Sequence, residues 1–572
     1  MYRFLQVFCS LFSAAMVATA IPNEILKFGS PAIGLVSVFP LYIAICNSRT
    51  YKGAFAVCFL QATTAHILSS FWLGNFQGYV FFTLGASAVG TGFVMAFMSL
   101  FFYFPILYTK NKGKLTETAN PESNSIPLRM VWFAAIYTTW EWVKSTGFLG
   151  YPWGTLSMTA YRWPFITQIA DITGPYGVTF LFAFFSAVLG EGAMMLSKTA
   201  KFHSFRKSHA YMSAARACMA LFIVSSIYGI YEYNMERTQT KTLNAVLVQQ
   251  NGDPWFKGEK VSIGISKKLS EEKIEEMRKA GKGCDLVVWS EAILKKRFPG
   301  AKKYYETFPD DEPLSDFINR MDVPFIIGGP VTIDAEKHRY GNSALLFDRN
   351  GKYSGSYQKM HLVPFAELIP GVGNEKVRAT MKKFVKFSYG WYPGKTVTLF
   401  EIPISTPPKD IRPYKTITIG DGIDTPEENP PRPKKTVTIG TPICFDDTAA
   451  EVCRAMFLSG SEAFVNITND AWSQTESAEI QHAIVAHYNS IEYRTTLARA
   501  TNAGYTIVIA PNGKIIDELP LFTEDAMAAE IPIFQRQMTI YAMLGNWLPI
   551  SLALVAVAYM LRTALKKRKI LD

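Results

Sequence analysis

The stretch T-I-G-T-P-I-C-F-D-D, at residues 438–447, is an apolar run that leads into a cysteine followed by two acids. A short run of this kind, rich in β-branched residues, is typical of a buried strand. A cysteine at its end lies where the thiolate can serve as a nucleophile, provided that a base takes the thiol proton. A structural buried cysteine is the commoner use of this pattern alone, so other strand ends decide its interpretation.

Two further strand-like runs end in residues that fit such chemistry. The run V-V-W-S-E at 287–291 ends in Glu291, and a buried carboxylate of raised pKa serves as a general base. The run Y-Q-K-M-H-L-V-P-F-A-E at 357–367 places Lys359 and Glu367 eight residues apart. A lysine held by a carboxylate stabilises an oxyanion. Taken singly, a strand-end cap and a surface ion pair are the more ordinary explanations of these two runs.

Strand-like runs alternate with helix-like stretches from residue 243 onward, which indicates a layered α/β domain. Helices are expected near 266–280 and 313–320. Strands are expected at 243–249, 285–289, 324–328, 343–347, 437–444, 463–467 and 506–510. The pattern fits two sheets that carry helices on their outer faces, an αββα sandwich.

The composition indicates that a membrane region accompanies this domain. Charged residues make up 18% of the chain, where a soluble domain carries about 25%. The apolar content of 49% and the scattered cysteines exclude collagenous, disordered and disulfide-scaffold proteins. A helix needs about 20 apolar residues to cross a bilayer. Eight runs are near this length: 4–20, 30–47, 53–74, 79–108, 128–145, 170–196, 211–232 and 543–562.

The Lys and Arg residues between these spans fall on one side when the loops are assigned alternately to the two sides of the membrane. These residues are Arg3, Arg49, Lys52, Lys110, Lys112, Lys114, Arg129, Lys198, Lys201, Arg206, Lys207 and the basic tail at 566–569. Positively charged loops face the cytoplasm, so the long segment before the last span is expected outside it. Residues 1–20 also fit a signal peptide, although Pro22, close to the cleavage position, favours retention.

These observations predict three parts. A polytopic α-helical membrane domain with about seven helices occupies 1–234, and the α/β domain occupies 235–540 with an insertion near 405–436. The segment 541–572 forms a C-terminal transmembrane helix with a basic cytoplasmic tail.

The order Glu291, Lys359, Cys444, with separations of 68 and 85 residues, resembles the nitrilase (carbon–nitrogen hydrolase) superfamily. The resemblance becomes closer with W-S-E, the string K-x-H-L-V-P-F-x-E, and N-I-T-N-D-A-W at 466–472. These strings are similar to those of the apolipoprotein N-acyltransferases, the membrane-bound branch of the superfamily. The resemblance therefore implies a nitrilase-like α/β domain on a membrane anchor.

The resemblance also implies residue roles. Glu291 is the general base, Lys359 the oxyanion stabiliser and Cys444 the nucleophile, and the auxiliary residues are Glu367, Phe445 and Asp446. Trp255 and Trp472 match positions that line the substrate site. No metal and no cofactor are expected, because no Cys and His cluster with metal-ligand spacing occurs in the sequence.

The implied reaction moves a fatty acyl chain from a phospholipid, through a cysteine thioester, to the N-terminal amino group of a diacylated lipoprotein. The expected partners are thus a phospholipid donor, a lipoprotein acceptor and the membrane, and the expected location is the bacterial inner membrane, with catalysis on the periplasmic side. The aromatic and basic residues at 382–392 predict a mobile arm over the lipid entry.

The sequence departs from the family pattern in three places. Asp446 stands where the family has Glu, and Ala366 stands where the family has Gly. A shift of about 1 Å at a reacting group costs on the order of 100-fold in rate, so the missing methylene of Asp446 matters if this acid must reach a partner. The string K-T-I-T-I-G at 415–420 nearly repeats K-T-V-T-I-G at 435–440, and the sequence leaves open which copy enters a sheet.

Two other functions remain as alternatives. A membrane-anchored amidase or nitrilase-type hydrolase would let water resolve the thioester. A lipid-binding scaffold or transporter with a decayed site would need no nucleophile. Nucleic-acid binding is not expected, because the basic residues form loop clusters rather than a stripe on one face.

Overall fold

The computed structural model shows a chain that divides into two compact units, residues 1–235 with 544–572, and residues 236–543. The structure describes residues 2–76, 80–112, 121–199, 208–364, 366–368, 376, 391–404, 413–418 and 436–571.

The first unit is helical throughout its described part. Its longer helices are Tyr2–Ala20, Tyr51–Ser69, Ser87–Lys112, Pro121–Ser145, Tyr176–Thr199, His209–Asn234 and Trp547–Leu571. Its shorter helical segments are Pro31–Val36, Phe39–Cys46, Phe71–Asn75, Phe81–Ala86, Leu156–Thr159, Pro164–Thr167 and Ala170–Thr173. Apolar side chains from most of these helices form one buried cluster.

Two predicted spans are interrupted, and both interruptions have a local cause. The run 30–47 forms two helices that meet at Ser37 and Val38, because Pro40 has no N–H to donate to the preceding turn. The run 170–196 contains a separate turn of helix that ends at Gly174, whose φ is +64°. Pro175 follows directly, and the long helix begins only at Tyr176.

Within the described residues, five helices are long and apolar enough to cross a membrane. These segments are Arg3–Ala20, Thr83–Ile106, Tyr176–Ser197, His209–Asn234 and Trp547–Leu565. The broken region Pro31–Cys46 is apolar but shorter. The described residues therefore contain several candidate membrane spans, whereas the number of eight crossings stays a prediction.

Two buried carboxylates in the described part of the helical unit have polar partners. The Glu191 carboxylate accepts hydrogen bonds from the Tyr42 hydroxyl at 2.7 Å and from Arg129 Nε at 2.8 Å. The Glu141 carboxylate accepts a hydrogen bond from the Leu156 amide at 2.8 Å. Ion pairs and hydrogen bonds of this kind are what allow a charge to remain in an apolar environment. Arg129 was expected among the loop charges, and this was wrong, because it lies in a helix and neutralises Glu191.

The second unit contains two mixed sheets. Its strands are β1 (Gln239–Gln249), β2 (Leu286–Val288), β3 (Phe325–Asp334), β4 (Arg339–Phe347), β5 (Tyr353–Gln358), β6 (Thr396–Pro403), β7 (Pro413–Thr418), β8 (Thr436–Gly440), β9 (Ala463–Thr468), β10 (Thr496–Thr501), β11 (Ile507–Ile509), β12 (Ile515–Glu518) and β13 (Asp525–Phe534). The first sheet has the order β13-β1-β2-β3-β4-β5, and the second has the order β12-β11-β10-β9-β8-β6-β7.

Strands β1, β2 and β3 are parallel, as are β8, β9 and β10. Their flanking strands β13, β4, β11 and β6 run antiparallel to them, and the edge strands β5, β12 and β7 are antiparallel to those in turn. The two sheets contact each other in two places, where β10 meets β1 and β13 and where β5 meets β6 and β7.

Helices cover both outer faces. Glu259–Lys279 packs on β1 and β13, and the apolar face of Leu314–Met321 joins the same core. On the second sheet, Ala450–Leu458 contacts β6 and β8, and Glu476–Tyr493 contacts β10. Short helical turns are also present at Pro254–Lys257, Lys302–Tyr305, Cys444–Thr448 and Ile540–Leu544. The expected layers, helix, sheet, sheet, helix, are thus observed in this unit.

Both copies of the repeated string enter the second sheet. The first copy lies in β7 at the edge, paired with β6 through Val397 and Ile417. The second copy lies in β8, on the other side of β6 and next to β9. Apart from β7, the predicted insertion 405–436 lies mostly outside the described residues.

Candidate active site

The three principal candidate residues follow strands whose carboxyl ends share one edge of the unit. Glu291 comes three residues after β2, Lys359 directly after β5, and Cys444 four residues after β8. The strand before Cys444 is shorter than the predicted run 437–444. It ends at Gly440, and Thr441 and Pro442 follow it. Residues beyond the carboxyl ends of strands are released from sheet pairing, so their side chains are available for chemistry.

Backbone strain accompanies two of these turns. Cys444 has φ +47° and begins the short helix Cys444–Thr448, while Ala292, next to Glu291, has φ +61°. Residues with a β-carbon rarely adopt such values, and they concentrate at functional sites. Gly328 permits the close approach behind Glu291, because a β-carbon there would lie 2.5 Å from the Glu291 Cα.

Lys359 bridges the two predicted carboxylates. Its Nζ donates to Glu291 Oε1 at 3.1 Å and to Glu367 Oε1 at 2.9 Å. The lysine side chain is 1% exposed and that of Glu291 is 6% exposed, so the ion pair is shielded from solvent. Lys359 is thereby fixed in position by two negative charges, and an ammonium has three N–H donors to distribute.

Two asparagines complete this arrangement, and neither was assigned a role from the sequence. Asn342 Nδ2 donates to Glu291 Oε1 at 2.6 Å and to Glu367 Oε1 at 3.2 Å. The backbone N–H of Asn469 donates to Glu291 Oε2 at 3.0 Å. The only sequence signal for Asn342 is its position at the beginning of an apolar run. Asn342 reaches the site because its strand, β4, pairs with β5, which leads into Lys359, and the apolar run does not reveal this pairing.

The electrostatics of the site follow from burial and from these charges. Burial raises the pKa of Glu291, and the Lys359 ammonium offsets part of this rise. Burial alone would lower the pKa of Lys359, but Glu291 and Glu367 outweigh it and hold that pKa well above its ordinary value. Burial, with Glu291, also raises the pKa of the Cys444 thiol. The thiol is therefore protonated at rest, and it needs a base to become a nucleophile.

Asp446 ties the cysteine turn to the segment that carries Lys359. Its Oδ1 accepts from the Met360 amide at 3.1 Å and the His361 amide at 2.6 Å. Its Oδ2 accepts from the Tyr357 hydroxyl at 2.9 Å and the Ile443 amide at 3.2 Å. The shorter aspartate side chain thus reaches four donors at this position.

Comparison with known proteins finds two family models that match the sequence of this chain. The model of the apolipoprotein N-acyltransferase N-terminal domain matches residues 13–188, and that of carbon-nitrogen hydrolase matches residues 266–541. Apolipoprotein N-acyltransferase 2 of Treponema denticola is 36% identical over 556 residues, which are 97% of this chain and 97% of that protein. The chain belongs to the apolipoprotein N-acyltransferase family.

Other members of the family extend the similarity. Apolipoprotein N-acyltransferase 2 of Treponema pallidum is 33% identical over 97% of this chain and 95% of its own length. Apolipoprotein N-acyltransferase of Borreliella burgdorferi is 27% identical over 95% of this chain and 92% of its own length. The resemblance found in the sequence is confirmed, and the chain is an acyltransferase of the nitrilase superfamily.

The remaining predicted site residues differ in what the structure shows. Phe445 is buried and its ring stacks on that of His361, with centroids 5.0 Å apart. Trp472 lies partly buried in the turn after β9. Trp255 lies in the turn of helix Pro254–Lys257, but its side chain is outside what the structure describes, as are residues 382–390 of the predicted arm.

One cluster was not anticipated. Cys444, Asp470 and His482 place a sulfur, an oxygen and a nitrogen within 4.8 Å of one another, although the sequence showed no such spacing. Both ring nitrogens of His482 are already hydrogen-bonded to aspartates, Asp470 at 2.8 Å and Asp447 at 3.0 Å. The cluster is therefore an ion network beside the cysteine, since a metal would have to displace one of these bonds.

Proposed function

We propose that this chain transfers a fatty acyl chain from a phospholipid to the N-terminal amino group of the diacylglyceryl-cysteine of lipoproteins. The observation that carries the proposal is the buried Lys359, which pairs with both Glu291 and Glu367. The same α/β unit holds Cys444, whose backbone is strained at φ +47°. Family membership adds the acyl-transfer chemistry.

In the first half-reaction, Glu291 takes the thiol proton and the Cys444 sulfur attacks the ester carbonyl of the phospholipid. A third N–H of the Lys359 ammonium holds the oxyanion of the tetrahedral intermediate. The intermediate collapses, the carbon–oxygen ester bond breaks, and Glu291 returns the proton to the departing lysophospholipid. The product is an acyl thioester on Cys444.

In the second half-reaction, the lipoprotein amine attacks the thioester carbonyl, and Glu291 accepts the amine proton. The carbon–sulfur bond breaks, an amide forms, and the proton returns to the Cys444 sulfur. Glu367 keeps Lys359 in position through both steps, because its Oε1 lies 2.9 Å from Nζ. Asp446 performs the corresponding task for the cysteine turn.

The proposed location is the bacterial inner membrane, with the unit 236–543 on the periplasmic side. The five long apolar helices support membrane insertion, and the basic loops support this orientation. We propose eight crossings in all, with Trp255 and Trp472 lining the substrate site and Phe445 shaping it.

A single-turnover experiment tests the proposal. Full-length protein in detergent is loaded from a phospholipid with an isotopically labelled acyl chain, freed of lipid, and given a diacylated lipopeptide. The matched control is the same lipopeptide with an acetylated amine. We expect labelled amide from the free amine only. Labelled free fatty acid at equal rates in both samples would instead establish the hydrolase.

Variants assign the nucleophile in the same assay. Cys444→Ser is expected to abolish amide formation. Cys453→Ser is the matched control, because Cys453 is also buried and lies nine residues further on, in the helix Ala450–Leu458. Retained transfer in Cys444→Ser, or equal loss in both variants, would contradict the assignment of Cys444.

A further inference from the structure

A second ion network lies against Cys444, and the mechanism above does not use it. His482, on the helix Glu476–Tyr493, is hydrogen-bonded through Nδ1 to Asp470 and through Nε2 to Asp447. Arg499, on β10, pairs with Asp447 and places Nη2 3.7 Å from Asp470 Oδ2. All four side chains are less than a tenth exposed, so the network is shielded from solvent.

The network is balanced in charge. Both His482 nitrogens face carboxylates, so the ring carries two protons and is an imidazolium. Burial would lower the pKa of His482, but Asp470 and Asp447 outweigh it and raise that pKa to about 9. The imidazolium and the guanidinium thus offset two carboxylates.

Among the described residues, the acid Glu479 also faces the network. Glu479 lies on the same helix as His482, and its Oε1 accepts a hydrogen bond from the Ser473 hydroxyl at 2.8 Å. Burial and the neighbouring Asp470 raise the pKa of Glu479 well above its ordinary value. The raised pKa favours the uncharged form of Glu479, which adds no charge to the network.

We propose that Asp470 and His482 are positioning residues that tune the ionisation of the Cys444 thiol, with Asp470 opposing the thiolate and His482 favouring it. The geometry carries the inference, because the sulfur, an Asp470 oxygen and a His482 nitrogen all lie within 4.8 Å of one another. At such a separation one uncompensated buried charge acts strongly on a neighbouring ionisation. The inference rests on the proposed function only in that the Cys444 thiolate is then the nucleophile of acyl transfer.

The groups that act on the thiol have different tasks. Glu291, Lys359 and Glu367 face Cys444 from the first sheet, and Asp470 faces it from the second. Glu291 and Lys359 handle protons and charge during turnover, whereas the Asp470–His482 pair is fixed by Asp447 and Arg499. The pair therefore sets a constant electrostatic background for the nucleophile.

The test is the pH dependence of Cys444 alkylation by iodoacetamide, measured on the full chain in detergent by peptide mass mapping. His482→Gln removes a positive charge, so the midpoint pH is expected to rise by about one unit and alkylation at neutral pH to slow about tenfold. Asp470→Asn removes a negative charge, so the midpoint is expected to fall. The double variant removes both charges and is expected to lie close to wild type.

The matched control is His487→Gln. His487 is buried on the same helix and is hydrogen-bonded to the Gly513 carbonyl at 2.8 Å, so its replacement should leave the midpoint unchanged. Opposite shifts in the two single variants, and their cancellation in the double variant, support the inference. Shifts of the same sign, or no shift in either variant of the pair, would overturn it and leave a purely structural network.

The alkylation needs no lipid, so its outcome is separable from that of the proposed function. If wild-type protein forms no acyl adduct while the midpoints shift as expected, the tuning pair stands and the acyl-transfer proposal fails. If the adduct forms while the midpoints do not shift, the reverse holds. Circular dichroism of each variant shows whether the fold is retained, and the double variant is informative even if one single variant unfolds.

Discussion

Replacing Asp446 by Ala is expected to separate the nucleophile from its oxyanion stabiliser. The Asp446 carboxylate joins the cysteine turn, through Ile443, to the segment that carries Lys359, through Tyr357 and His361. Asp446 is fully buried, so water does not reach the donors that its removal leaves behind. Asp446→Ala therefore perturbs both stability and catalysis, and the two effects can be measured separately.

The structure gives the expected size of each effect. An unpaired buried donor costs about 1–3 kcal/mol, but neighbouring donors relax together and their costs do not add. For the four donors to Asp446 we expect the free energy of unfolding to fall by about 3–5 kcal/mol. A displacement of about 1 Å between Cys444 and Lys359 should slow acyl loading about 100-fold. Asp446→Glu keeps the charge but adds a methylene in a filled site, which costs about 1–3 kcal/mol.

Denaturant unfolding in detergent and the single-turnover rate of acyl loading, followed by intact mass, measure the two effects. Asp310→Ala is the matched control, because the Asp310 side chain is 86% exposed and its ion pair should contribute little. A folded Asp446→Ala protein that loads acyl chains at the wild-type rate would show that Asp446 does not hold Cys444 and Lys359 in register. An Asp446→Glu protein that is more stable than wild type would contradict a filled site around this carboxylate.

Other predictions concern the buried charges. Lys359→Met leaves the carboxylates of Glu291 and Glu367 without their cation, so the free energy of unfolding should fall by about 3–5 kcal/mol in denaturant titration; an unchanged midpoint would contradict this. Asn342→Leu removes a donor from both carboxylates, and acyl loading should slow about 10–100-fold, whereas an unaltered rate would exclude the amide from the site. The pKa of His482 is raised to about 9, so its stabilisation of about 3 kcal/mol is complete below about pH 6.5 and lost as the pH rises through 9. His482→Gln should flatten this alkaline loss in thermal unfolding, and an equally steep loss would assign it to another group.

The order of strands and helices in the α/β unit could be predicted wherever apolar runs were short and bounded by polar residues. The strands β1, β2, β3, β4, β8, β9 and β11 lie at predicted runs, although their ends differ by a few residues. Strands whose composition misleads were not predicted. β13 reads D-A-M-A-A-E-I-P-I-F, in which the alanines favour a helix, and β10 contains Arg499, which is fully buried only because Asp447 neutralises it.

The candidate site could be predicted only where its residues follow apolar runs. Glu291, Lys359 and Cys444 are recognisable because each follows an apolar run and their order is shared by a family. Asn342 and His482 act through partners that are distant in sequence, Asn342 lying 51 residues from Glu291 and His482 lying 35 residues from Asp447. Such contacts are set by which strands become neighbours in the sheets, and local pattern does not contain that information.

The central claim, a covalent acyl-enzyme on Cys444, is tested most directly by the intact mass of the purified full chain after incubation with phospholipid, beside Cys444→Ala. One fatty-acyl mass is expected on the wild-type protein only, mapped to the peptide that contains Cys444. An equal adduct on Cys444→Ala, or none on folded wild-type protein with phospholipid present, would contradict it.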